Sequence, residues 1–313
     1  MENDTFYMAE FLGALTFGGI LKDTIVVTSA AGTEYRMVEL IGKGTFGRVY
    51  RMRATSPGDH EPPEFAIKLF ADAQAAMSEY EAHLLLKPVD VKVPVVESVP
   101  IYPKSKGQLE KSKFAVVGMP MLERRVWDTM PLSPRDAIDI VRVVATAAAA
   151  LWEREIMLND IKAHNIMFGA DGRVRIIDVG SIIHANGNAF SATFCPPDHV
   201  KAIPDASRVR CTERSIVWQL GVFLLNMVET QLDDRPVFSL AAERLSKRRL
   251  SCLACGFSEE QTLKQLYKTA LAVRRVVLER CEHSIPVVDA TYYAMSQGDT
   301  TIMRFVDLLS INV

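Results

Sequence analysis

Apolar positions along the first part of the chain follow the two-residue period of β-strands. Short apolar runs bounded by glycine or polar residues predict a hairpin at 34–53 and further strands at 64–70, 93–101 and 113–119. Directly after the strand at 64–70, a segment rich in Ala, Met, Glu and Leu predicts a helix over 71–86. This part of the chain is therefore predicted to form a small sheet with one helix.

The apolar period changes to that of helices beyond a connector near 119–132. Ser133 and Pro134 predict the start of a helix that continues to about residue 155. A hairpin is predicted around the Ala-Asp-Gly turn at 170–172, and mostly helix from residue 215 onward. Before the sheet, 1–33 carries no catalytic pattern, and its segment 7–21 predicts a short apolar helix.

Composition narrows the class of protein. The 313 residues are 49% hydrophobic and carry a formal net charge of −2, which is typical of a soluble globular protein. Without a basic excess we expect no nucleic-acid binding, and no apolar run is long enough to cross a bilayer. Glu2 and Asp4 stand where a secretory signal carries positive charge, so we expect a cytosolic or nuclear protein.

The cysteines indicate reduced thiols and not a disulfide framework. There are five, an odd number, scattered between Cys195 and Cys281. Cys252 and Cys255 form a Cys-x-x-Cys pair, which Cys281 and His283 would have to complete as a zinc site. Since those two lack the spacing of a second ligand pair, we favour small, partly buried thiols over a metal site.

The clearest chemical pattern lies where the long helical pattern ends. Asp160 is followed two residues later by Lys162 and three residues after that by Asn165. Phosphoryl transfer to a hydroxyl needs a carboxylate facing the acceptor proton, a cation at the moving phosphate and an amide oxygen for a metal ion. The alternative is a polar loop at a helix end, which would make the further acid at Asp178 accidental. We therefore interpret this segment as a phosphoryl-transfer loop.

Two earlier motifs fit the same chemistry. Gly42, Gly44 and Gly47 lie between two predicted strands, where glycine lets backbone amides approach phosphates closely. A dinucleotide-binding fold would require a helix after the turn, and the alternative here is an ordinary hairpin turn. The strand that follows contains Ala66 and Lys68, and the alternative for Lys68 is an exposed strand lysine.

The chain resembles the protein kinase family over roughly 35–230, because it carries in the expected order the glycines, Lys68, the Asp160 loop and Asp178-Val179-Gly180. The resemblance implies an α+β, bilobal protein-kinase-like fold: an N-terminal extension at 1–33, a small antiparallel sheet lobe at 34–120 and a larger, mainly helical lobe at 121–313. It also implies ATP as substrate, Mg²⁺ as metal and proteins as acceptors.

The resemblance also assigns roles to single residues. Asp160 would accept or orient the hydroxyl proton, Lys162 would neutralise the γ-phosphate, and Asn165 with Asp178 would hold Mg²⁺. Because tyrosine kinases usually lack the lysine, Lys162 favours serine or threonine as acceptor.

Further roles concern the nucleotide. Lys68 would hold the α and β phosphates while paired with a helix glutamate. Glu81 is the first choice because Leu84 and Leu85 follow it in helical phase, and Glu79 is the second. The residues expected around adenine and the connecting hinge are Val49, Ala66, Met167, Met119 behind the pocket, and Leu122 as a backbone donor.

Several positions depart from the family pattern. Leu158 and Asn159 replace the His-Arg before the catalytic Asp, Val179 replaces a Phe, and Ile216 replaces an Asp near Trp218. We expect a continuous apolar column of Leu85, Val179, Leu158 and Ile216 to substitute by packing for the lost polar contacts. Asn159 lacks the charge that the family's arginine offers to a phosphate on the activation segment. We therefore expect activity without phosphorylation of that segment, 181–195. Within it, Ser191 is either a contact of Asp160 and Lys162 or an ordinary loop serine.

Two other functions stay open beside an ATP-dependent serine/threonine protein kinase. The altered positions suggest a pseudokinase scaffold that binds nucleotide or partner proteins, although pseudokinases typically lose at least one reacting residue. A small-molecule kinase of the aminoglycoside or choline type shares the lobe plan, but the glycine motif, Lys162 and the Trp-x-Leu-Gly stretch at 218–221 fit protein kinases better. The oligomeric state does not follow from the sequence.

Overall fold

The chain forms two compact units, one of residues 1–88 and 95–123 and the other of 89–94 and 124–313. The first holds a sheet and the second holds long helices, which confirms the predicted α+β class. The computed structural model describes residues 12, 15–21, 24–43, 47–56, 58, 61–70, 79, 81–82, 85–86, 99–103, 115–177, 179, 183–184, 211–228, 231–232, 235–236, 285–294 and 299–310.

The sheet of the first unit closes into a barrel. Its strands are β1 (Thr16–Leu21), β2 (Thr24–Thr28), β3 (Glu34–Lys43), β4 (Gly47–Ala54), β5 (Glu64–Phe70), β6 (Val99–Pro103) and β7 (Ala115–Met119). Around the barrel the order is β1-β2-β3-β4-β5-β7-β6. The neighbours pair antiparallel except β1 and β6, whose parallel pairing closes the sheet. Closure therefore pairs the two strands that would otherwise be open edges.

Apolar side chains fill this barrel. Tyr35 meets Phe65 edge-on, with ring centroids 5.0 Å apart, and its hydroxyl donates to the Pro62 carbonyl at 3.0 Å. Along β5, Phe65 and Ile67 face the core, so the alternating Ala66 and Lys68 face the other side of the sheet. The buried core consists of Leu12, Leu15, Ile25, Val27, Tyr35, Met52, Phe65, Ile67, Ile101 and Val116.

The predicted apolar helix at 7–21 is wrong for its second part. Leu12 is helical, but Thr16–Leu21 is strand β1. The glycine pair within TFGGIL weakens a helix, and a strand at this place hydrogen-bonds to β2 on one side and β6 on the other. Pairing with two neighbours therefore outweighs the local apolar pattern. Residues 7–11, 13 and 14 lie outside the described part of the chain.

Long helices dominate the described part of the second unit. They are α1 (Pro134–Trp152), α2 (Glu213–Val228), α3 (Ile285–Ala294) and α4 (Ile302–Ser310). Helix α1 begins where predicted, because the Ser133 hydroxyl caps it by accepting from the Asp136 N–H at 3.1 Å. Helix α2 packs against α1, α3 and α4, and each of its residues from 215 to 228 is buried. It is the centre of this unit.

Short strands connect the helices of the second unit. They are β8 (Arg124–Arg125), β9 (Ile156–Met157), β10 (Ile166–Phe168), β11 (Val174–Ile176), β12 (Ile183–His184), β13 (Gln231–Leu232) and β14 (Arg235–Pro236). The predicted hairpin of β10 and β11 is confirmed, with β8 as a third strand beside β10, while β9 pairs with β12. The loop from 158 to 165 runs from β9 to β10. No helix among the described residues is both long and apolar enough for a membrane crossing.

Candidate active site

Strand β5 places Lys68 in a buried ion pair. Its Nζ lies 2.5 Å from Oε2 of Glu79, and only 10% and 4% of the two side chains are exposed. The Lys68 Nζ also lies 4.8 Å from the ring centroid of Phe70. Since charges are costly to remove from water unless they are paired, this ion pair offsets part of the cost of burying both side chains.

Glu79 is therefore the helix partner of Lys68, and the predicted first choice of Glu81 is wrong. Both glutamates are helical, but two residues along a helix are turned by about 200°, so only one of them can face the sheet. Glu79 is buried and so is Ala82, three residues later, whereas Glu81 is exposed. Leu85, on which the predicted phase depended, is only half-buried, and Leu84 lies outside the described residues.

The strand ladders bring several of the residues predicted around adenine together. Val49 of β4 lies opposite Lys68, and Met119 of β7 lies opposite Ala66. Ala66 is buried, while Val49, Met119 and Leu122 are half-buried. These four belong to the first unit. Their contacts with a nucleotide stay predictions.

The glycine motif joins β3 to β4, as predicted. Gly42 pairs with Val49 beyond a register shift in β3, and Gly44 lies outside the described residues. A Cβ atom at Gly47 would lie 2.6 Å from the backbone oxygen of Leu69, which is closer than real Cβ contacts come. Glycine at position 47 is thus required for the close approach of β4 and β5, whether or not a phosphate binds beside it.

The loop after β9 gathers the three predicted catalytic side chains of the second unit. Lys162 Nζ donates to Asp160 Oδ2 at 2.5 Å, and Asn165 Nδ2 donates to the same oxygen at 3.1 Å and to the Asp160 backbone oxygen at 3.0 Å. Asp160 has a φ of 58°, in the left-handed region that aspartate tolerates better than most residues. Its carboxylate is therefore held by two neighbours in an uncommon backbone conformation.

Asn165 fits the predicted role of a magnesium ligand. The nitrogen of its amide donates to Asp160, so the oxygen is the end that can accept a cation, and Mg²⁺ prefers amide and carboxylate oxygens. Asp178, the second predicted ligand, lies outside the described residues, as do Cys252 and Cys255 of the alternative zinc site. Within the described residues, no cluster of three or more His, Cys, Asp or Glu side chains could hold a metal ion.

A buried amide network beneath this loop was missed by the sequence analysis. Gln219 of α2 accepts a hydrogen bond from the Ile161 N–H at 3.1 Å through Oε1, and its Nε2 donates to Asn159 Oδ1 at 2.9 Å. Leu158 and Ile216 are buried, as their expected apolar packing requires, but the polar contact to the loop backbone comes from Gln219. The available signal was a glutamine within a run of apolar residues, since a buried amide needs partners.

Met167, the predicted residue below adenine, belongs to the second unit and lies in β10. It is half-buried and stands opposite Arg125 of β8. Its contact with adenine stays a prediction.

A stacked aromatic pair beside the loop was also not predicted. The rings of Trp127 and His164 are parallel within 26°, with centroids 4.0 Å apart. Partial burial, and then the positive charges of Lys162 and Arg125, lower the pKa of His164 below 6.5, and two nearby aspartates oppose the shift only in part. The shift favours the neutral imidazole, two residues from Lys162.

Comparison with known proteins agrees with this arrangement. The sequence model of the protein kinase domain matches residues 35–244. The Aurora kinase of Schizosaccharomyces pombe (strain 972 / ATCC 24843) is 25% identical over 240 residues, which cover 71% of this chain and 64% of that kinase. The serine/threonine-protein kinase PrkC of Bacillus subtilis (strain 168) is 24% identical over 152 residues, which cover 45% of this chain and 22% of PrkC. The chain thus spans less than two thirds of the length of either relative.

Proposed function

Since the chain belongs to the protein kinase family, we propose that it transfers the γ-phosphate of ATP to serine or threonine hydroxyls of protein substrates. The observation that carries this proposal is the Asp160 carboxylate, held at 2.5 Å by Lys162 and at 3.1 Å by Asn165. A carboxylate, a cation and an amide within hydrogen-bonding distance of one another are the groups that phosphoryl transfer requires.

Each group has a separate task in this proposal. Asp160 orients the acceptor hydroxyl and takes its proton, and Lys162 neutralises the charge of the phosphoryl group that moves to the hydroxyl. When bound, Mg²⁺ would be held by Asn165 and Asp178, and it would neutralise charge on the phosphates of ATP. Lys68, kept charged by Glu79, contacts the α and β phosphates.

Two observations favour serine or threonine as the acceptor. Lys162 is present and lies against Asp160, as in the pattern of serine/threonine kinases. PrkC of Bacillus subtilis, to which the chain is similar, is named a serine/threonine-protein kinase. The protein substrate itself does not follow from these features.

A radiolabelled ATP assay with mixed protein substrates, followed by phosphoamino-acid analysis, tests the proposal. Because a positioned general base contributes about 10²–10⁴-fold, Asp160→Asn is expected to lower kcat by at least about a hundredfold. Lys68→Met is expected to abolish measurable transfer. Asp171→Asn is the matched control, since Asp171 is an exposed aspartate of a hairpin turn in the same unit, and it should transfer phosphate at the wild-type rate.

The other outcomes of this assay separate the two alternatives. Transfer that persists in both Asp160→Asn and Lys68→Met would contradict the assigned roles. A wild-type protein that transfers no phosphate and shows no thermal shift with millimolar ATP and Mg²⁺ would favour a pseudokinase scaffold. ATP turnover that is stimulated by amino-alcohol or aminoglycoside acceptors, but not by proteins, would favour a small-molecule kinase.

We further propose that the active arrangement does not depend on phosphorylation of the activation segment. Asn159, which stands where the family has arginine, is 5% exposed, and its amide bonds to Gln219 Nε2 and to Cys211 Sγ. A neutral, buried amide with these partners offers no positive charge to a phosphate. The segment itself, including Ser191, lies outside the described residues except for 183 and 184.

Phosphatase treatment tests this second proposal. Enzyme that has been dephosphorylated, with loss of phosphate verified by intact mass, is expected to retain its kcat. As a control, Asn159→Arg restores the family's residue at this position. A loss of nearly all activity on phosphatase treatment of the wild type would refute the proposal.

A further inference from the structure

The peptide group between Asp160 and Ile161 is held at both of its ends. Its carbonyl, the backbone oxygen of Asp160, accepts from Asn165 Nδ2 at 3.0 Å, and its N–H, that of Ile161, donates to Gln219 Oε1 at 3.1 Å. The two side chains come from the loop itself and from helix α2. Rotation of this peptide group would break both hydrogen bonds at once.

This peptide group needs such restraint because of the residue before it. Asp160 has a φ of 58°, and a residue other than glycine keeps a left-handed conformation only where its surroundings impose it. Ile161 is 2% exposed, so no bulk water replaces the acceptor if Gln219 is removed. The direction of the Asp160 side chain depends on this backbone conformation.

Gln219 is itself oriented by two further bonds. Its Nε2 donates to Asn159 Oδ1 at 2.9 Å and to the Ser215 backbone oxygen at 3.2 Å. Both acceptors therefore face the nitrogen of the amide, which leaves the oxygen toward Ile161. Gln219 is 3% exposed, Asn159 5% and Ser215 1%, so the network is enclosed within the second unit.

We propose that Gln219 is the positioning residue of the catalytic loop: it fixes the Asp160–Ile161 peptide group and thereby directs the Asp160 carboxylate. Ile216, one turn earlier on the same helix, occupies the position at which the family pattern has an aspartate, and it has no hydrogen-bonding group in its side chain. Gln219 supplies the polar contact from the next turn of α2, and Asn159 orients it. The catalytic consequence rests on the proposed kinase function, whereas the hold on the peptide group does not.

The first test compares Gln219→Met, which keeps the shape of the side chain but has no amide, with Gln219→Glu. The glutamate keeps an acceptor for Ile161, and in its protonated form, which burial favours, its hydroxyl can donate to Asn159 Oδ1 or to the Ser215 backbone oxygen. For Gln219→Met we expect kcat to fall about ten- to a hundredfold, with KM for ATP within about twofold of the wild type. Gln219→Glu is expected to keep most of the wild-type kcat.

A matched control separates positioning from loss of stability. Val217 lies two residues before Gln219, on the opposite side of α2, and is fully buried. Val217→Ala is expected to lower the melting temperature by an amount similar to Gln219→Met while keeping kcat within about threefold. If kcat instead follows the melting temperature equally in both variants, the positioning role is refuted.

Hydrogen exchange of the Ile161 amide tests the contact without any use of activity. In the wild type this amide is expected to exchange slowly, in Gln219→Met at least about tenfold faster, and in Gln219→Glu slowly again. If Gln219→Met does not fold, Gln219→Asn, whose shorter side chain cannot span the same distance, replaces it in both measurements. An Ile161 amide that exchanges equally in all variants overturns the proposal. If the Ile161 amide exchanges faster in Gln219→Met but the wild-type protein has no kinase activity, the hold of Gln219 on the peptide group is established and the proposed function is wrong.

Discussion

Glu79→Gln should both destabilise the first unit and impair ATP use. The substitution keeps the size of the side chain and its hydrogen-bonding capacity, and it removes only the negative charge that lies 2.5 Å from Lys68 Nζ. Lys68 would then lose the negative charge of its ion-pair partner. Glu81→Gln is the matched control, because Glu81 lies two residues away on the same helical segment and is exposed.

The magnitude follows from burial. The side chains of Lys68 and Glu79 are 10% and 4% exposed, so solvent screens the interaction between their charges only weakly. Removal of one partner of a buried ion pair costs about 3–5 kcal/mol. The first unit, residues 1–88 and 95–123, lies between the domain sizes at which 1 kcal/mol shifts the melting temperature by about 4–8 °C and by about 2–4 °C. At about 4 °C per kcal/mol, the lower value corresponds to a fall in melting temperature of about 12 °C. Glu81→Gln is expected to change stability by less than about 0.5 kcal/mol.

A double variant distinguishes the stability of the pair from its use with ATP. In Lys68→Met/Glu79→Leu both charges are gone, and apolar replacement of a buried pair is often neutral or stabilising by about 1–4 kcal/mol. We expect the melting temperature to recover in this double variant, but not the thermal shift on addition of ATP or the transfer of phosphate.

Differential scanning fluorimetry with and without ATP, and the radiolabel assay, measure these quantities. The reasoning is refuted if Glu79→Gln and Glu81→Gln melt within about 1 °C of each other. It is equally refuted if the double variant remains as unstable as Glu79→Gln, because the cost would then arise from packing and not from the loss of the Glu79 charge beside Lys68.

Three further predictions concern the second unit. A Cβ at Gly221 of α2 would lie 2.4 Å from the Cβ of Ala294 on α3. Gly221→Ala should therefore lower the free energy of unfolding, measured by urea titration, by about 1–3 kcal/mol of overpacking less the roughly 1 kcal/mol that alanine gains in a helix. The swap Gly221→Ala/Ala294→Gly should restore the stability, and a swap as unstable as the single variant would contradict the contact. Because the pKa of His164 is lowered from 6.5 in the folded state, the unfolded chain takes up the proton first as pH falls. The stability of the folded state should therefore decrease as pH falls through about 6.5, and this decrease should be smaller in His164→Gln. Identical pH profiles of the melting temperature in the two proteins would refute this prediction. Desolvation raises the pKa of Asp171, but hydrogen bonds from the Arg173 N–H and the Arg175 guanidinium outweigh it and lower the pKa below 3.8. Asp171→Asn should therefore be less stable than the wild type at pH 7, and the difference should shrink as pH falls from 3.8 through the lower folded-state pKa. A difference that does not shrink at all on acidification would speak against the charge.

Local patterns decided those features that depend on neighbouring residues. The start of α1 is predictable because Ser133 and Pro134 satisfy the first turn of a helix by themselves. The span of β5 and the hairpin of β10 and β11 follow from apolar alternation and a glycine turn. The short spacing of Asp160, Lys162 and Asn165 likewise brings them to one loop, where their hydrogen bonds are within five residues of sequence.

Tertiary structure decided what depends on residues far apart in the chain. The choice between Glu79 and Glu81 was set by which face of a helix met the sheet, and the local phase of leucines did not contain that information. Strand β1 pairs with β2, which follows it directly, and with β6, which is far along the chain, and local propensity does not describe the second pairing. The hydrogen bond from the Ile161 N–H to Gln219 spans 58 residues, so only folding brings this glutamine of α2 to the loop backbone. Sequence thus determined which chemical groups this kinase-family chain carries and in what order. Long-range packing determined which of these groups are neighbours, because a buried polar group needs a hydrogen-bonding partner and the fold decides which residue provides it.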